Sequence, residues 1–288
     1  MTNLPFEDWL ASLSDRAPSK GAARGVVTVM THQPEYASYA SASEIARIAN
    51  ISVGGVTRGA QRLGYPGWPA LREEFRARYL SSLSRSEIAA QHAQGSSHSG
   101  VEESLDADQR ALALTASRDQ RAVLSSAVAE FAQAHTRLAI GGGSFGCVAQ
   151  ILSMNASLGG YPTSSPGEGA SVVNAVARLG PSDFVVALGF WRVYESTISA
   201  VTTARGRGAR VLVITDHHGS ALAQVANHVV TASAEGGAFF PSMTSAVAVV
   251  NAFCSELGRV DVSYTRTAVA EAEAEWTRAG LLRHPARS

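Results

Sequence analysis

Cysteine is nearly absent from this chain, with Cys147 and Cys254 the two in 288 residues. They are too few and too isolated for a disulfide frame or a zinc site. Both read as small packing residues rather than redox groups, and neither metal nor cofactor is expected. No apolar run approaches the roughly 18 residues that a membrane span requires, and the opening MTNLPFEDWL is acidic where a secretion signal would be basic. A cytoplasmic protein with no membrane partner is therefore expected. Net charge is lacking too: 24 basic residues stand against 24 acidic ones, so no global field draws the chain to nucleic acid. Any DNA binding has to come from a local surface. Lysine is represented by Lys20 alone against 23 arginines, a bias pointing to a GC-rich bacterial genome. What is present, 45% hydrophobic residues, can bury one large core or two modest ones, and the length favours two domains.

Residues 1–84 read as all-helical. Phe6, Trp9, Leu10 and Leu13 recur at helical spacing, and the helix through GAARGVVTVMTHQ is expected to stop at Pro34. In SASEIARIAN, Ser41 and Glu44 have the spacing of a capping box ahead of Ile45, Ile48 and Ala49. Asn50 and Ile51 leave space only for a tight turn before Ser52, which is placed to cap a helix over Val53 to Leu63 that Gly64 ends. A further amphipathic helix turns Leu71, Phe75 and Leu80 inward. The stretch 85–100 loses the pattern and is expected to be a mobile connector. From residue 101 the rhythm becomes helix, strand, helix, strand. TRLAIGGG, DFVVALGF, ARVLVITD and HVVTAS have the make-up of strands buried on both faces, with helices at Cys147–Leu158, Ser171–Leu179, Ser196–Arg207 and Ser242–Leu257. The class is α/β, an all-α domain followed by a doubly wound, flavodoxin- or Rossmann-like parallel sheet with ligands at the carboxyl ends of its strands.

Two helices joined by a short turn, the second capped by Ser52 and bearing Arg58 and Arg62, describe a helix-turn-helix whose second helix enters a major groove. The candidate DNA contacts are Ser41, Arg47, Ser52, Val53, Gly54, Gly55, Thr57, Arg58 and Arg62, with Arg72 a further phosphate partner. Nine basic residues against seven acidic ones in the first 80 is a small excess, so affinity rests on a few phosphate contacts doubled by dimerisation. Gly54 and Gly55 offer bases almost nothing. Either they let the backbone approach DNA closely, or the helix packs against a neighbour there. The alternative for the whole domain is a partner-binding module with a solvated arginine face.

The segment SASEIARIANISVGGVTRGAQRLGYPGWPALR resembles the helix-turn-helix of RpiR-type bacterial transcription regulators. The resemblance is carried by Ser41, Glu44, Ile45, Ala46, Ile51, Ser52, Val56, Arg58, Leu63, Gly64, Tyr65, Gly67, Trp68 and Leu71. Gly55 departs from it, standing where the family usually has threonine.

LAIGGGSFGCVAQIL reads as a strand, a glycine-rich turn and a helix start. Its backbone N–H groups can gather around an anion, with the Ser144 hydroxyl and the helix dipole assisting. Such a turn also exists for packing alone. The order that follows, ending in GARVLVITDHHGSALAQVANHVV, resembles the sugar isomerase (SIS) domain that follows the helix-turn-helix in RpiR-type proteins. The resemblance implies a domain over 101–288 that senses a phosphorylated sugar or related metabolite, a carbohydrate derivative, and dimerises, altering the binding of double-stranded operator DNA. Dimer or tetramer is left open.

Where that family has a Ser-x-Ser-Gly-x-Thr phosphate loop, this chain has Gly189, Phe190, Trp191, Arg192, Val193 and Tyr194. An arginine beside aromatics suits an anionic ligand that need not be a simple sugar phosphate. The candidate effector residues are Gly141, Gly142, Gly143, Ser144, Phe145, Glu168, Gly189, Phe190, Trp191, Arg192 and Tyr194, with Arg192 the main charge partner. The competing reading makes Phe190 and Trp191 interface residues over a closed pocket. The competing class is an isomerase or lyase, for which Glu168, Glu195, His217 and His218 are the available acid–base groups. No spacing among them specifies catalysis, so no enzymatic activity is expected. The closing stretch DVSYTRTAVAEAEAEWTRAGLL reads as an amphipathic helix offering Val269, Trp276 and Leu281 for docking or dimerisation.

Overall fold

The computed structural model describes residues 4–84, 86–87, 100–115, 118–234 and 240–281. The helical domain runs α1 (Phe6–Arg16), α2 (Ala22–His32), α3 (Pro34–Tyr39), α4 (Ala42–Ala49), α5 (Val53–Arg62) and α6 (Trp68–Ser82). Trp9, Leu13, Val26, Met30, Ile45, Val56, Leu63, Trp68, Leu71 and Phe75 form its core. Pro34 ends no helix by itself. The chain breaks at Gln33, and Pro34 opens α3 at a first-turn position, where its missing N–H would have had no partner anyway. Asn50 turns the chain between α4 and α5 with a left-handed φ of 52°, a conformation its short polar side chain tolerates.

α2 and α5 pack with almost no space between their backbones. A Cβ on Gly59 would stand 3.2 Å from the carbonyl carbon and oxygen of Ala22, so this glycine is required by close approach. Arg24 and Arg16 serve the same framework. Arg24 donates to the carbonyls of Ser14, Ala17 and Pro18 at the end of α1, and Arg16 to the carbonyl of Leu63 at the end of α5. Arg72 donates to the carbonyl of Ala40 at 3.4 Å and is half-buried, which ties it to the framework rather than to an open phosphate-facing surface.

The connector expected at 85–100 lies largely outside the described residues. At its edge Ser84 and Glu87 form a reciprocal cap: Ser84 N–H donates to Glu87 Oε2 at 2.7 Å and Glu87 N–H to Ser84 Oγ at 3.2 Å.

The second domain runs α7 (Gly100–Thr115), α8 (Arg118–Gln133), β1 (Arg137–Gly141), α9 (Ser144–Leu158), α10 (Ala170–Val176), β2 (Phe184–Leu188), α11 (Glu195–Gly206), β3 (Arg210–Thr215), β4 (His228–Thr231), α12 (Thr244–Val260) and α13 (Val262–Arg278). The four strands are parallel in the order β1-β2-β3-β4, with Ile140 opposite Ala187 and Leu188 opposite Ile214. Side chains alternate between two cores. Val186, Leu188, Leu212 and Ile214 join Phe131, Val148, Leu152 and Phe253 on one face. Val185, Ala187, Val211 and Val213 join Val176, Val201 and Ala204 on the other. The sheet is thus covered on both sides, as alternating strands and helices require.

One residue of a further strand was not expected: Ser164 pairs beside Leu138 on the outer edge of β1. The chain therefore lies on one side of β1 before α10 and returns on the other side as β2. This reversal makes the carboxyl ends of β1 and β2 the natural ligand crevice.

Neither cysteine is a plain core residue. Cys147 is exposed on α9, which corrects its reading as packing, while Cys254 is half-buried with its thiol pushed up to about 11 by burial. Among the described residues no helix is long and apolar enough to cross a membrane, and no cluster of three metal-ligating side chains occurs.

Candidate functional site

The helix-turn-helix is built by local chemistry. Ser41 Oγ accepts the Glu44 N–H while the Glu44 carboxylate accepts the Ser41 N–H at 2.7 Å, and that backbone hydrogen bond holds the Glu44 carboxyl below its ordinary range. Ser52 Oγ accepts the Gly55 N–H at 3.0 Å and starts α5. Both serines thus have cap roles that position the helices. On α5 the outward side carries Ser52, Val53, Gly54, Arg58 and Arg62, all exposed, with Thr57 partly so. Arg47 is exposed on α4, its guanidinium 3.4 Å from the Tyr36 hydroxyl.

The glycine pair divides between the two explanations. Gly54 faces outward, and the Arg58 guanidinium lies over it, 3.3 Å from where a Cβ would be. Gly55 faces inward against Ser52, Ile51 and Ala22, so it is a packing residue and not a DNA contact.

At the second site, Gly141, Gly142, Gly143, Glu168 and Tyr194 of the expected residues meet. The turn Gly141–Gly143 ends β1 and opens α9, and a Cβ on Gly141 would stand 2.8 Å from the Phe145 backbone. Gly143, at φ 59°, donates its N–H to Glu168 Oε1 at 2.6 Å. The Tyr194 ring lies on the other side of the turn, so close that a Cβ on Gly142 would fall 2.3 Å from its Cδ2. The chain therefore places one of its own carboxylates on the amide where an anion would sit, and one of its own rings over the glycines. Ser144 is exposed beside them.

The rest of the loop after β2 is arranged differently from the expectation. Phe190 is 1% exposed and packs its ring 4.9 Å from that of Phe145, itself in the core. Neither ring face is open to a ligand, which removes Phe190 and Phe145 as stacking groups. Gly189 is buried against Leu222 and Val193. Trp191 is half-buried with a left-handed φ of 52°, and its N–H donates to Asp216 Oδ2 at 2.8 Å. Arg192 is exposed, and its charge helps hold the Glu87 carboxyl below the ordinary range, behind the larger effect of the Ser84 hydrogen bonds. Asp216, in the turn TDHHGS after β3, thus reaches across to the loop after β2.

Of the acid–base candidates, His217 is buried and its imidazole is pushed below its ordinary range by that burial, while Glu195 and His218 are exposed.

This arrangement agrees with comparisons to known proteins. The SIS domain family matches residues 130–255. Residues 130–255 are a SIS domain. The chain is 26% identical over 207 residues to YfhH of Escherichia coli K12, an uncharacterized HTH-type transcriptional regulator, covering 70% of this chain and 73% of that one. Among solved structures, the SIS domain is similar to the sugar isomerase domain of the RpiR transcription factor from Sphaerobacter thermophilus, at 23% identity and a TM-score of 0.56 over 60% of this chain and 98% of that one. The Vibrio vulnificus NanR protein, complexed with ManNAc-6P, matches both domains: 95% of this chain and 98% of that one, at 19% identity and a TM-score of 0.53. The chain thus carries a helix-turn-helix domain ahead of its SIS domain.

Proposed function

We propose that this protein is a cytoplasmic transcription regulator that binds operator DNA through α4 and α5 and senses an anionic metabolite, a phosphorylated sugar or a related acid, at the turn after β1. The single observation that carries the reading is the carboxylate of Glu168 seated on the Gly143 amide. The turn offers that amide to a carboxylate of the chain itself, and it belongs to a SIS domain tethered to a helix-turn-helix whose Arg58 and Arg62 are exposed. The NanR structure is a complex with ManNAc-6P, a phosphorylated sugar, which agrees in class with such an occupant. Arg192 is the charge partner on offer from the loop after β2.

Dimerisation fits the same reading. Two helix-turn-helix units must meet half-sites about one helical turn apart, and α13 leaves Val262, Tyr264, Val269 and Trp276 exposed for a second copy. An effector that prefers one dimer arrangement by about 1–3 kcal/mol would shift operator affinity roughly 5- to 150-fold.

A sugar-phosphate isomerase is the competing reading, and burial of His217 counts against it by removing one of the two histidines from substrate reach. The test is a thermal-shift screen of phosphorylated sugars and small organic acids, paired with DNA binding at about 50 and 200 mM salt. Stabilisation by a sugar phosphate together with salt-sensitive DNA binding is the expected result. Absence of DNA affinity at low salt, or turnover of the sugar phosphate, would overturn it.

A further inference from the structure

The two domains touch where α6 reaches the loop after β3. Arg78, on the last turns of α6, is 2% exposed. Its guanidinium stacks 4.9 Å over the Trp9 ring, donates through Nε to Glu74 Oε1 at 3.0 Å, and donates through Nη1 to the Leu4 carbonyl at 3.2 Å. The edge of the same group presses on Gly219, where a Cβ would lie 1.7 Å from Nη2. His217 is buried beside this contact with its Nδ1 lacking a hydrogen-bond partner. Glu73, also on α6, is close enough to Asp216 for that charge to help raise its carboxyl, after the larger effect of burial.

The other side of Asp216 faces the effector loop. Oδ2 accepts the Trp191 N–H, and Oδ1 lies 3.2 Å from the Thr215 hydroxyl. Trp191 is held in a left-handed conformation that a bulky side chain rarely adopts, so this loop is kept in place by its contacts and not by its own preference. Three residues further, Tyr194 lies on the glycine turn. A ligand that claims the turn has to displace that ring, and the loop it belongs to is the one that Asp216 holds. α6 in turn shares the core of α5, with Leu71 and Phe75 in the same cluster as Val56 and Leu63.

We propose that Asp216–Gly219 is the element that passes the state of the loop 189–194 to the DNA-binding domain, with Arg78 as the receiving side chain and Trp191 as the sending one. This rests on the sensor reading above and names how its site is read out. Asp216 and Arg78 are positioning residues in this scheme, touching neither DNA nor effector.

The experiment is hydrogen exchange by mass spectrometry on the full chain without ligand or DNA, comparing wild type with Gly219→Ala and Arg78→Leu. Gly219 has no left-handed φ, and the three atoms nearest an added Cβ all belong to the Arg78 guanidinium, so alanine acts first on that contact. Two routes into one contact keep the test open should either variant misfold. Exchange in the peptide carrying the Trp191 amide is expected to quicken about fivefold or more, the lower end of ordinary coupling between sites, while β1 and the second half of α9 stay unchanged. In the converse arm, Tyr194→Ala is expected to quicken exchange in the last turn of α6. A folded Gly219→Ala or Arg78→Leu chain with wild-type exchange at 189–194 would overturn the proposal, as would a general loosening that includes β1, which marks a merely structural contact. Neither outcome touches the sensor reading, which stands or falls on ligand and DNA binding.

Discussion

Glu168 Oε1 accepts the amide of Gly143 at 2.6 Å, so the anion position at the start of α9 is held by the chain itself. Any incoming phosphate or carboxylate competes with that side chain. Glu168→Ala is expected to tighten binding of inorganic phosphate or of a sugar phosphate by up to about tenfold, the worth of one exposed charge-assisted hydrogen bond. Titration calorimetry on the two proteins checks it. Weaker binding in the variant would mean that Glu168 holds the ligand and does not stand in for it.

The three glycines of α5 should respond oppositely to alanine. Gly54 faces solvent, and its new Cβ would meet only the far end of Arg58, so Gly54→Ala is expected to stabilise the domain by up to about 1 kcal/mol through helix propensity. Gly59→Ala drives a Cβ to 3.2 Å from the Ala22 backbone and is expected to cost about 1–3 kcal/mol. Gly55→Ala falls between them, because Ser52 Oγ, at 3.2 Å, can move only by giving up its cap. Chemical denaturation of the three variants ranks them; equal effects would mean that the α2–α5 contact is looser than described.

What could be read from the sequence was what local chemistry decides. The Ser41–Glu44 cap, the Ser52 cap and the four strands are each specified within a few residues, and each is present. The Ser84–Glu87 cap has the same spacing as the first, yet no apolar period follows it to give it away. Ser164 joins the sheet as a single residue, below the length at which alternation carries a signal. The site was legible as an inventory and not as an arrangement. Nothing in the sequence says that Tyr194 lies on Gly142 while Phe190 turns into the core, because two full helices and a strand separate the turn from that loop. The link from Asp216 to Trp191 is hidden for the same reason.

Arginines of the helical domain divide into two groups that salt should distinguish. Arg58 and Arg62 are exposed on α5, so replacing either by alanine is expected to lower the slope of log affinity against log salt by about 0.9 if each neutralises one phosphate. Arg24 holds the carbonyls of Ser14, Ala17 and Pro18. Arg24→Ala should lower thermal stability and leave the slope alone. Binding to a GC-rich duplex over a salt series measures both, and a slope unmoved by the loss of Arg58 and Arg62 would move the DNA surface away from α5.

The domain contact should also carry a pH signature through His217. Burial lowers its affinity for a proton below the ordinary 6.5; Asp216 and Glu74 oppose that, and Arg78 and His218 reinforce it. As pH falls through 6.5 the unfolded chain binds a proton that the folded chain refuses, so this group removes stability on acidification until the folded value is reached. Glu73 acts in the opposite sense. Its carboxyl is raised above 4.5 by burial and by Asp216, with Arg72 opposing, so its contribution is greatest at low pH and is lost as pH rises through the folded value. A pH titration of wild type alone mixes the two. The difference between wild type and His217→Gln isolates the first: wild type is expected to lose stability faster between pH 7 and the folded value of His217, by at most about 1.4 kcal/mol per pH unit. Parallel curves, measured by urea denaturation at each pH, would show that His217 is as free to charge in the folded protein as in the unfolded chain, and that the contact beneath Arg78 is open to water.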